Sequence, residues 1–477
     1  MTDYARHITA IRDLLGENGL LTDPTDIASY GQDWRGLYLG QALAVARPAT
    51  TEALAATVRY CAENRIAMVP QGGNTGMCGG ATPSPDGRQL VISTARMTRL
   101  RAIDKIDQTM TIEAGVPLKT AQDLAREEGL WLPLSISAEG TAQIGGILST
   151  NAGGNNTVRF GNARDLVLGL EVVLPDGQIW NGLRRLRKDN TGYCLRHLFM
   201  GAEGTLGIIT AAVLKLLPTP RQTEVALCAL PSVEAALEVF GRFQAEDPAA
   251  VVAFEYMSGI GMDLVLRHIP GISLPLAGRA PHYALVELSS ARAGAELREL
   301  LESVLESALA DEIVLDAALA ESETQRLAIW KLREEHSEAQ KRAGANVKND
   351  VSVPVSHTPA FIAEATAACV ALIPGIRVAP FGHLGDGNTH FNLIQPEGAD
   401  GAAFLARADE IMHVVNDVVR KHDGSFSAEH GIGQLKTDML AQWRGGAELD
   451  LMQKIKRAID PGDLMNPGKL LPARDHG

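Results

Sequence analysis

The stretch Ser135-Ile-Ser-Ala-Glu-Gly-Thr-Ala-Gln-Ile-Gly-Gly-Ile-Leu-Ser-Thr-Asn-Ala-Gly-Gly154 decides the fold of this protein. A second glycine-rich block, Pro70-Gln-Gly-Gly-Asn-Thr-Gly-Met-Cys-Gly-Gly80, precedes it, and a third, Met200-Gly-Ala-Glu-Gly-Thr-Leu-Gly-Ile-Ile-Thr210, follows it. Each block lies beside a predicted strand. Because glycine loses more backbone entropy on folding than any other residue, three such blocks are costly. They indicate that a long, flat ligand lies against bare backbone.

The block at 70–80 does not fit the common nucleotide-binding motifs. Its glycines, at positions 72, 73, 76, 79 and 80, contain no G-x-G step. A turn and a strand are predicted after it, where the dinucleotide fingerprint requires a helix, and no Gly-Lys-Ser/Thr of a P-loop follows. Its backbone amides could still form an anion-binding nest. Taken alone, the block leaves a tight loop without a ligand as an equal alternative.

Hydrophobic periodicity predicts the elements around these blocks. Besides a helix at the N-terminus, helices are predicted for residues 51–64, with Leu54, Val58 and Cys61 on one face, and for 117–128. Strands are predicted for residues 66–70, 89–93, 109–113, 166–175, 206–217 and 283–288. After Pro218-Thr-Pro220, glycine becomes sparse and helical patterns alternate with short strands. We therefore predict a first domain at 1–220, an inserted domain at 221–424 and a C-terminal segment at 425–477.

Composition excludes several classes of protein. The 477 residues carry a formal net charge of −13, which argues against nucleic acid as a partner. Five cysteines without a CxxC pair fit reduced thiols and a cytoplasmic location. The N-terminus has no apolar signal region, and no stretch approaches the roughly 20 apolar residues of a membrane helix. We expect a protein that is not integral to a membrane.

A second group of motifs carries metal-ligand chemistry. Phe381-Gly-His-Leu-Gly-Asp-Gly-Asn-Thr-His-Phe-Asn392 places two histidines around a glycine-rich centre, and Ser427-Ala-Glu-His-Gly-Ile-Gly433 follows about forty residues later. A strand is predicted at 391–395, with His390 and Asn392 on one face. Two histidines and a carboxylate suit zinc or another divalent ion. Core histidines bonded to carbonyl groups are the alternative, which the Glu-His dipeptide disfavours.

The ordered glycine motifs resemble those of the FAD domain in the vanillyl-alcohol oxidase/p-cresol methylhydroxylase superfamily. The match runs through P-x-G-G-N-T-G, then S-x-x-A-E-G-T-x-x-I-G-G and T-N-A-G-G, then G-x-E-G-T-L-G-I-I-T, and ends at Asn466-Pro-Gly-Lys469. The resemblance implies an α+β fold: a two-part FAD-binding domain of the p-cresol methylhydroxylase type, with an inserted α+β substrate-binding domain. The C-terminal segment would complete the active site and return to the FAD domain.

The same resemblance implies how the cofactor is bound. Some relatives attach FAD covalently through a histidine after the Gly-Gly pair, but this chain has Asn74 there, so we expect FAD to be non-covalent. The implied cofactor contacts are Gly72, Gly73, Asn74, Thr75, Gly76, Gly79, Gly80, Gly140, Gly145, Gly146, Asn151, Gly153, Ile208 and Asn466.

Within the superfamily, G-H-L-G-D-G-N-x-H with E-H-G-x-G resembles the D-2-hydroxyacid dehydrogenase branch, and most closely the D-2-hydroxyglutarate dehydrogenases. This resemblance implies that His383, His390 and Glu429 hold a metal. It also implies that His430 is the base for the substrate hydroxyl and that Asn392 contacts the substrate. A metal-bound hydroxyl is easier to deprotonate, which suits a base next to a metal ligand.

Three further residues match those with which that branch holds a distal carboxylate: Arg333, Ser337 in place of a threonine, and Lys348. A helical pattern at 330–337 predicts that Arg333 and Ser337 share a face at i, i+4. A strand-like alternation at 347–355 predicts that Lys348, Asp350 and Ser352 face away from the valines. For any single Arg or Lys, a solvated helix face or an exposed strand edge is the alternative.

The implied activity is oxidation of D-2-hydroxyglutarate to 2-oxoglutarate, with hydride passing from C2 to FAD. The alternative within the enzyme class is a D-lactate or broader D-2-hydroxyacid dehydrogenase. Alternatives of other classes are a metal-dependent hydrolase with structural glycine loops, and a binding module without turnover. Expected partners are a small D-2-hydroxy acid, an electron acceptor such as electron-transfer flavoprotein or quinone, and a second copy in a homodimer.

Overall fold

The computed structural model describes residues 2–472, which divide into two compact units. The first unit contains the chain up to residue 152, Asn162–Thr219 and the chain from Glu429 onward. The second contains Gly153–Gly161 and Pro220–Ala428. Residues 425–428 group with the second unit because Ser425 and Ser352 exchange backbone hydrogen bonds of 2.7 and 3.0 Å. The short stretch Gly153–Gly161 was not expected in the second unit.

The strands of the first unit are β1 (Leu20–Leu21), β2 (Ala42–Ala46), β3 (Met68–Gln71), β4 (Gln89–Ser93), β5 (Leu100–Asp104), β6 (Thr109–Glu113), β7 (Leu130–Trp131), β8 (Val167–Val173), β9 (Ile179–Gly182), β10 (Ile208–Lys215) and β11 (Leu217–Pro218). Those of the second unit are β12 (Gln222–Leu230), β13 (Val251–Ser258), β14 (His282–Ser290), β15 (Asp316–Leu319), β16 (Asn346–Val347), β17 (Asp350–Ser352), β18 (Arg377–Val378), β19 (Phe381–His383), β20 (Asn388–His390) and β21 (Leu393–Ile394).

The α-helices in chain order are α1 (Thr2–Leu15), α2 (Pro24–Ile27), α3 (Thr51–Glu63), α4 (Leu118–Glu127), α5 (Ile144–Thr150), α6 (Thr157–Phe160), α7 (Arg196–Phe199), α8 (Val233–Glu246), α9 (Gly259–His268), α10 (Leu297–Ala310), α11 (Glu323–Glu334), α12 (His336–Ala343), α13 (Thr358–Leu372), α14 (Gly401–Leu405), α15 (Ala408–Lys421), α16 (Thr437–Trp443) and α17 (Ala447–Ile459).

The first unit contains two principal sheets, and the glycine blocks lie at their strand ends. One sheet has the order β1-β2-β4-β3, and the other has the order β5-β6-β10-β8-β9. Helix α3 begins after Thr50, whose hydroxyl accepts a hydrogen bond from Ala53 N. As predicted, Leu54, Val58 and Cys61 are buried in the core that this helix forms. The block at 70–80 directly follows β3, and the block at 200–210 runs into β10.

The second unit is built on a seven-stranded sheet with the order β15-β12-β14-β13-β19-β20-β17. Its central strand β13 is buried at every position although it contains Glu255. Helix α6 packs against β13, and Arg159 of this helix donates a hydrogen bond to Ser289 O at 2.8 Å. These contacts explain why Gly153–Gly161 belongs to this unit.

Two of the predicted elements near the histidines are wrong. Of the predicted strand at 391–395 only Leu393–Ile394 is a strand, β21, and it belongs to a different sheet from β20, which ends at His390. His390 and Asn392 therefore do not share one strand face. The predicted strand at 347–355 is likewise divided into β16 and β17, and Asp350 is buried. In both places, short pairings with distant strands override the local alternation.

The predicted helix at 330–337 is also interrupted. Helix α11 ends at Glu334 and α12 begins at His336, so Arg333 and Ser337 lie on different helices. The i, i+4 spacing predicted within one helix therefore spans two helices. The remaining predicted helices and strands are present, with ends that agree or move by one or two residues, as fraying termini commonly do.

One helix is long and apolar enough to cross a membrane by length and composition alone, and it covers Val355–Leu372. This is weak support for a membrane span, because core helices of proteins that span no membrane pass the same test. In the second unit α13 packs against α15, and its Glu364 forms ion pairs with Lys421 at 2.6 Å and His422 at 3.1 Å.

Candidate active site

The first two glycine blocks of the first unit lie against each other. A Cβ atom on Gly73 would stand 2.0 Å from Thr141 O, and one on Gly72 would stand 3.5 Å from the backbone of Gly146. Only glycine at position 73 permits this approach. By contrast, a Cβ on Gly76, Gly140 or Gly146 would meet no atom of the chain within 4 Å. The loops therefore border open space with bare backbone, which fits a flat cofactor.

Asn466 supplies a second observation in favour of a ligand in this unit. Its Nδ2 donates hydrogen bonds to Gly80 O at 2.9 Å and to Glu203 O at 2.8 Å. Its Oδ1 is buried and accepts no hydrogen bond from the described residues. Because buried polar atoms are nearly always paired, this oxygen indicates a missing donor, which a bound cofactor could supply.

The other predicted cofactor residues fall into different environments. Asn74 adopts a left-handed φ of 53° and donates to Gln32 O at 2.8 Å. Asn151 ends α5 in the left-handed conformation, and Ile208 is buried in β10. Gly145 packs on Ala114, since a Cβ there would stand 2.8 Å from the alanine Cβ. Thr75, Gly79 and Gly80 lie in the loop after β3, whereas Gly153 belongs to the second unit.

The second unit brings His383 and His390 together. Their rings are edge to face with centroids 5.7 Å apart, and a nitrogen of each ring lies within 4.8 Å of the other. His383 ends β19, His390 ends β20, and these strands are neighbours in the sheet. The tight turn between them passes through Gly387 at a φ of 81°, where a Cβ would stand 2.1 Å from Val353 O.

Glu255 links His383 to Arg333. Nδ1 of His383 donates to one carboxylate oxygen at 2.6 Å, and Nε of Arg333 donates to the other at 2.6 Å. Burial by itself raises the pKa of Glu255, but the charges and hydrogen bonds of His383 and Arg333 outweigh it and lower this pKa to about 2. The carboxylate is therefore ionised. With Nδ1 engaged, a metal would bind His383 through Nε2.

Asp350 accompanies the second histidine. It pairs with His390 across β17 and β20, and its carboxylate lies 3.9 Å from Nδ1 of that histidine. Asn388 Nδ2 donates to the same carboxylate at 3.1 Å. The seven-stranded sheet thus places a buried acid beside each imidazole, Glu255 on β13 and Asp350 on β17.

Glu429 and His430 begin the final segment of the first unit. A carboxylate oxygen of Glu429 and a ring nitrogen of His430 lie within 4.8 Å of each other. The residue before them, Ala428, belongs to the second unit, where its N–H donates to Asp350 O at 3.3 Å. Ala428, the residue before Glu429, is therefore bonded to β17, the strand that pairs with β20.

The residues predicted to hold a distal carboxylate lie on separate elements of the second unit. Arg333 is only 7% exposed and stacks its guanidinium on the Phe381 ring at 4.8 Å, so a solvated helix face is wrong for this residue. Ser337 lies in the first turn of α12. Lys348 lies between β16 and β17; the pKa of Glu338 on α12 is lowered chiefly by a hydrogen bond from Arg342, and the charge of Lys348 adds to this. Asn392 is buried, and its Nδ2 donates to Gln340 at 2.8 Å.

Sequence reasoning missed Glu255, the acidic role of Asp350 and the side chain of Glu203. Glu255 is the single charged residue in the buried strand Val251–Ser258, and that contrast is a signal that could have found it. Glu203 stands inside a block that was interpreted through its glycines alone. Its carboxylate accepts hydrogen bonds from the N–H groups of Ile432 and Gly433, both at 2.7 Å.

The glycine blocks at 70–80, 135–154 and 200–210, together with Asn466, form what we call the glycine cradle. This cradle and the two-part first unit define the class of protein: an oxidoreductase with an FAD-binding domain. Two family models agree, the FAD binding domain over residues 42–182 and the C-terminal domain of FAD linked oxidases over residues 219–470. The chain belongs to the FAD linked oxidase family. These matches confirm the predicted superfamily, the α+β fold class and the prediction of an FAD-dependent enzyme. They disfavour the two alternatives, a metal-dependent hydrolase and a binding module without turnover.

Three relatives illustrate the similarity in sequence. The chain is 38% identical to D-2-hydroxyglutarate dehydrogenase of Xanthomonas citri pv. viticola, over 96% of this chain and 95% of the relative. It is 37% identical to the mitochondrial D-2-hydroxyglutarate dehydrogenase of Bos taurus, over 95% and 81%. It is 33% identical to a mitochondrial protein of Schizosaccharomyces pombe provisionally named D-lactate dehydrogenase, over 97% and 89%. The predicted resemblance to the D-2-hydroxyacid dehydrogenase branch is confirmed.

Solved structures support the fold alone. Substrate-bound p-cresol methylhydroxylase superposes with a TM-score of 0.76 at 16% identity, covering all of this chain and 98% of that one. Alkyldihydroxyacetonephosphate synthase superposes with a TM-score of 0.74 at 16% identity, covering 98% and 85%.

Proposed function

We propose that this enzyme oxidises D-2-hydroxyglutarate to 2-oxoglutarate with FAD and a divalent metal. The names of the relatives from Xanthomonas citri and Bos taurus support the substrate. The observation that carries the proposal is the Glu255 carboxylate, which bonds a histidine suited to a metal with one oxygen and a buried arginine with the other. Such a site would hold a Lewis acid and a carboxylate-binding cation at a distance set by one side chain.

His383, His390 and Glu429 would hold the metal, for which zinc is our candidate. Two imidazoles and one carboxylate are a typical donor set for catalytic zinc, which keeps a position open for substrate. Two acidic residues support this assignment. Glu255 lies beside Nδ1 of His383 and Asp350 beside Nδ1 of His390, so each would fix the ring orientation of its histidine. A metal in this place lowers the pKa of a bound hydroxyl.

FAD and the residues around the substrate would then have separate roles in the reaction. FAD, bound without a covalent link because position 74 is asparagine, supplies the chemistry of accepting hydride from C2. His430 would receive the proton of the substrate hydroxyl, since histidine is the side chain that most often serves as a general base. Asn392 would orient the substrate through its side-chain amide.

Arg333, Ser337 and Lys348 would bind the distal carboxylate. With a net charge of −13, the protein as a whole repels a dianion, so local cations must attract it. Ser337 replaces a threonine of the related enzymes and keeps the hydroxyl donor. Arg333 retains other N–H groups for the substrate after its Nε has bonded Glu255.

D-lactate is the second candidate substrate. The relative from Schizosaccharomyces pombe carries that name, and Arg333 is already committed in part to Glu255. If Arg333 serves Glu255 alone, Lys348 and Ser337 offer less to a second carboxylate. A shorter D-2-hydroxy acid would then be preferred.

A screen of D-2-hydroxy acids with an artificial electron acceptor tests the proposed function. We expect kcat/KM to be highest for D-2-hydroxyglutarate and much lower for its L enantiomer. Preference for D-lactate would favour the second candidate, and no turnover of any D-2-hydroxy acid would refute both. As acceptor in the cell we propose electron-transfer flavoprotein or quinone, with a cytoplasmic homodimer as the working form.

A further inference from the structure

Glu203 lies where all the cofactor motifs of the first unit meet. Its N–H donates to Ser149 O at 2.8 Å, in the block at 135–154. Its carbonyl oxygen accepts from Asn466 Nδ2 at 2.8 Å, in the C-terminal segment. A Cβ on Gly80 would stand 3.3 Å from its Oε2, so the first glycine block approaches it too. One residue thus contacts every segment of the glycine cradle.

The carboxylate of Glu203 binds the segment that carries His430. Oε1 accepts from Ile432 N and Oε2 accepts from Gly433 N, both at 2.7 Å. Burial raises the pKa of Glu203, and the two backbone N–H groups oppose this shift in part. The two amides follow His430 by two and three residues, so the carboxylate fixes the backbone immediately after it.

The glycines of E-H-G-x-G are explained by this contact. Gly431 has a φ of 72°, and a Cβ there would stand 2.7 Å from Glu203 Oε1. Gly433 has a φ of 55°, and a Cβ there would stand 2.0 Å from Cys78 O. Both positions need glycine because protein atoms crowd them. The loop at 70–80 holds the same segment from its other side, since Cys78 O accepts from Gln434 N at 3.0 Å.

We propose that Glu203 is a positioning residue that, by clamping the amides of Ile432 and Gly433, holds His430 at a fixed place relative to the glycine cradle. The inference rests on the proposed function for the role of His430 as base. The clamp itself rests only on contacts within the first unit. Its effect on catalysis would come from geometry, because a misplacement of about 1 Å can cost on the order of 100-fold in rate.

The variant Glu203→Gln tests the clamp directly. Glutamine keeps one acceptor oxygen but replaces the other with an NH₂ group, so one of the two amides loses its partner. We expect hydrogen exchange in the peptide covering 429–435 to accelerate about 10-fold or more, because one buried N–H group loses its acceptor. The matched control is Glu171→Gln, a buried carboxylate of the same unit that bonds Arg101, Thr51 and Thr210 instead. It should leave this exchange unchanged.

The second measurement is flavin reduction in the FAD-loaded enzyme. We expect Glu203→Gln to retain its FAD and absorption spectrum, to reduce flavin up to roughly 100-fold more slowly, and to change KM little. Unchanged exchange at 429–435 would overturn the clamp. Faster exchange with a normal rate, or loss of FAD, would overturn the positioning role.

Two further variants keep the proposal falsifiable. If Glu203→Gln does not fold, Gly431→Ala disturbs the clamp from the other side, because its Cβ would collide with Oε1, and the same exchange and rate changes are expected. Their absence would refute the proposal. A fully active His430→Ala would show that the proposed base is wrong. An impaired His430→Ala beside a normal Glu203→Gln would show that only the positioning role is wrong.

Discussion

Glu255 and His383 are joined by a 2.6 Å hydrogen bond in which the imidazole Nδ1 donates to a fully buried carboxylate. The contact spans strands β13 and β19, where the two residues are direct register partners. A buried carboxylate needs compensating charge, which Arg333 supplies, and hydrogen bonds, which both Arg333 and His383 donate. The second unit therefore holds its histidine in one tautomer and one orientation before any ligand arrives.

Glu255→Gln is expected to weaken metal retention about 10- to 100-fold, because loss of an orienting partner lowers the affinity of a metal-binding histidine. Metal content after dialysis against graded chelator measures this. Glu287→Gln is the control, since Glu287, on the neighbouring strand β14, accepts its hydrogen bond from Trp330 of α11. Equal metal retention in both variants would contradict the role of Glu255.

His383→Ala and His430→Ala are expected to fail in different ways. The first should lose both the metal and turnover while FAD stays bound, because the two sites use separate motifs. The second should keep the metal and slow flavin reduction on the order of 10²- to 10⁴-fold, as loss of a general base does. Metal analysis and stopped-flow absorbance separate them. Full activity after exhaustive chelation would exclude the metal assignment.

Lys348→Met is expected to lower kcat/KM for D-2-hydroxyglutarate roughly 10- to 150-fold and to affect D-lactate far less, because D-lactate has no second carboxylate. Arg333→Met is a less clean test, since it also leaves Glu255 without one of its two partners. Steady-state kinetics with both substrates measure the ratio. A parallel loss for both substrates would assign Lys348 to the common end of the molecule or to the fold.

FAD is expected to leave the protein on acid precipitation, giving a yellow supernatant and a colourless pellet. The asparagine at position 74 cannot form the aminoacyl–flavin bond that a histidine forms, and its amide is bonded to Gln32 O. The flavin absorbance of the supernatant and of the redissolved pellet measures how much FAD is released. Colour retained in the pellet would show a covalent link through another residue.

Acid is expected to destabilise the fold through His336. This side chain is fully buried, both ring nitrogens lack partners among the described residues, and burial with the charge of Arg333 lowers its pKa from 6.5 to about 3. In the unfolded chain His336 becomes protonated below pH 6.5, whereas in the folded chain it becomes protonated only below about pH 3. Stability is therefore present above pH 6.5 and is lost as pH falls through this window.

Between pH 6.5 and 5 the loss from His336 is about 2 kcal/mol of unfolding free energy. Urea unfolding of the chelated protein at pH 7.5 and 5 measures it. His336→Leu should remove this part of the acid sensitivity, and His413→Leu, at an exposed histidine, should not. Equal acid sensitivity in wild type and His336→Leu would show that the ring is solvated.

The sequence alone sufficed where a function depends on residues close together in the chain. The glycine blocks identify a flavin cradle because the requirement for bare backbone is local, and Gly73 beside Thr141 bears this out. His383 and His390 are seven residues apart around flexible glycines, so their meeting was predictable. The helical periodicity that places Leu54, Val58 and Cys61 on one buried face is equally local.

The tertiary structure decided whatever depends on pairing between distant strands. Glu255 lies 128 residues before His383, and only the register of β13 with β19 brings the two together. The same long-range pairing ends β20 at His390 and removes Asn392 from its face. Glu203 meets Ile432 across 229 residues. Local periodicity carries no information on such contacts, because sheet register and loop packing are set by the whole core.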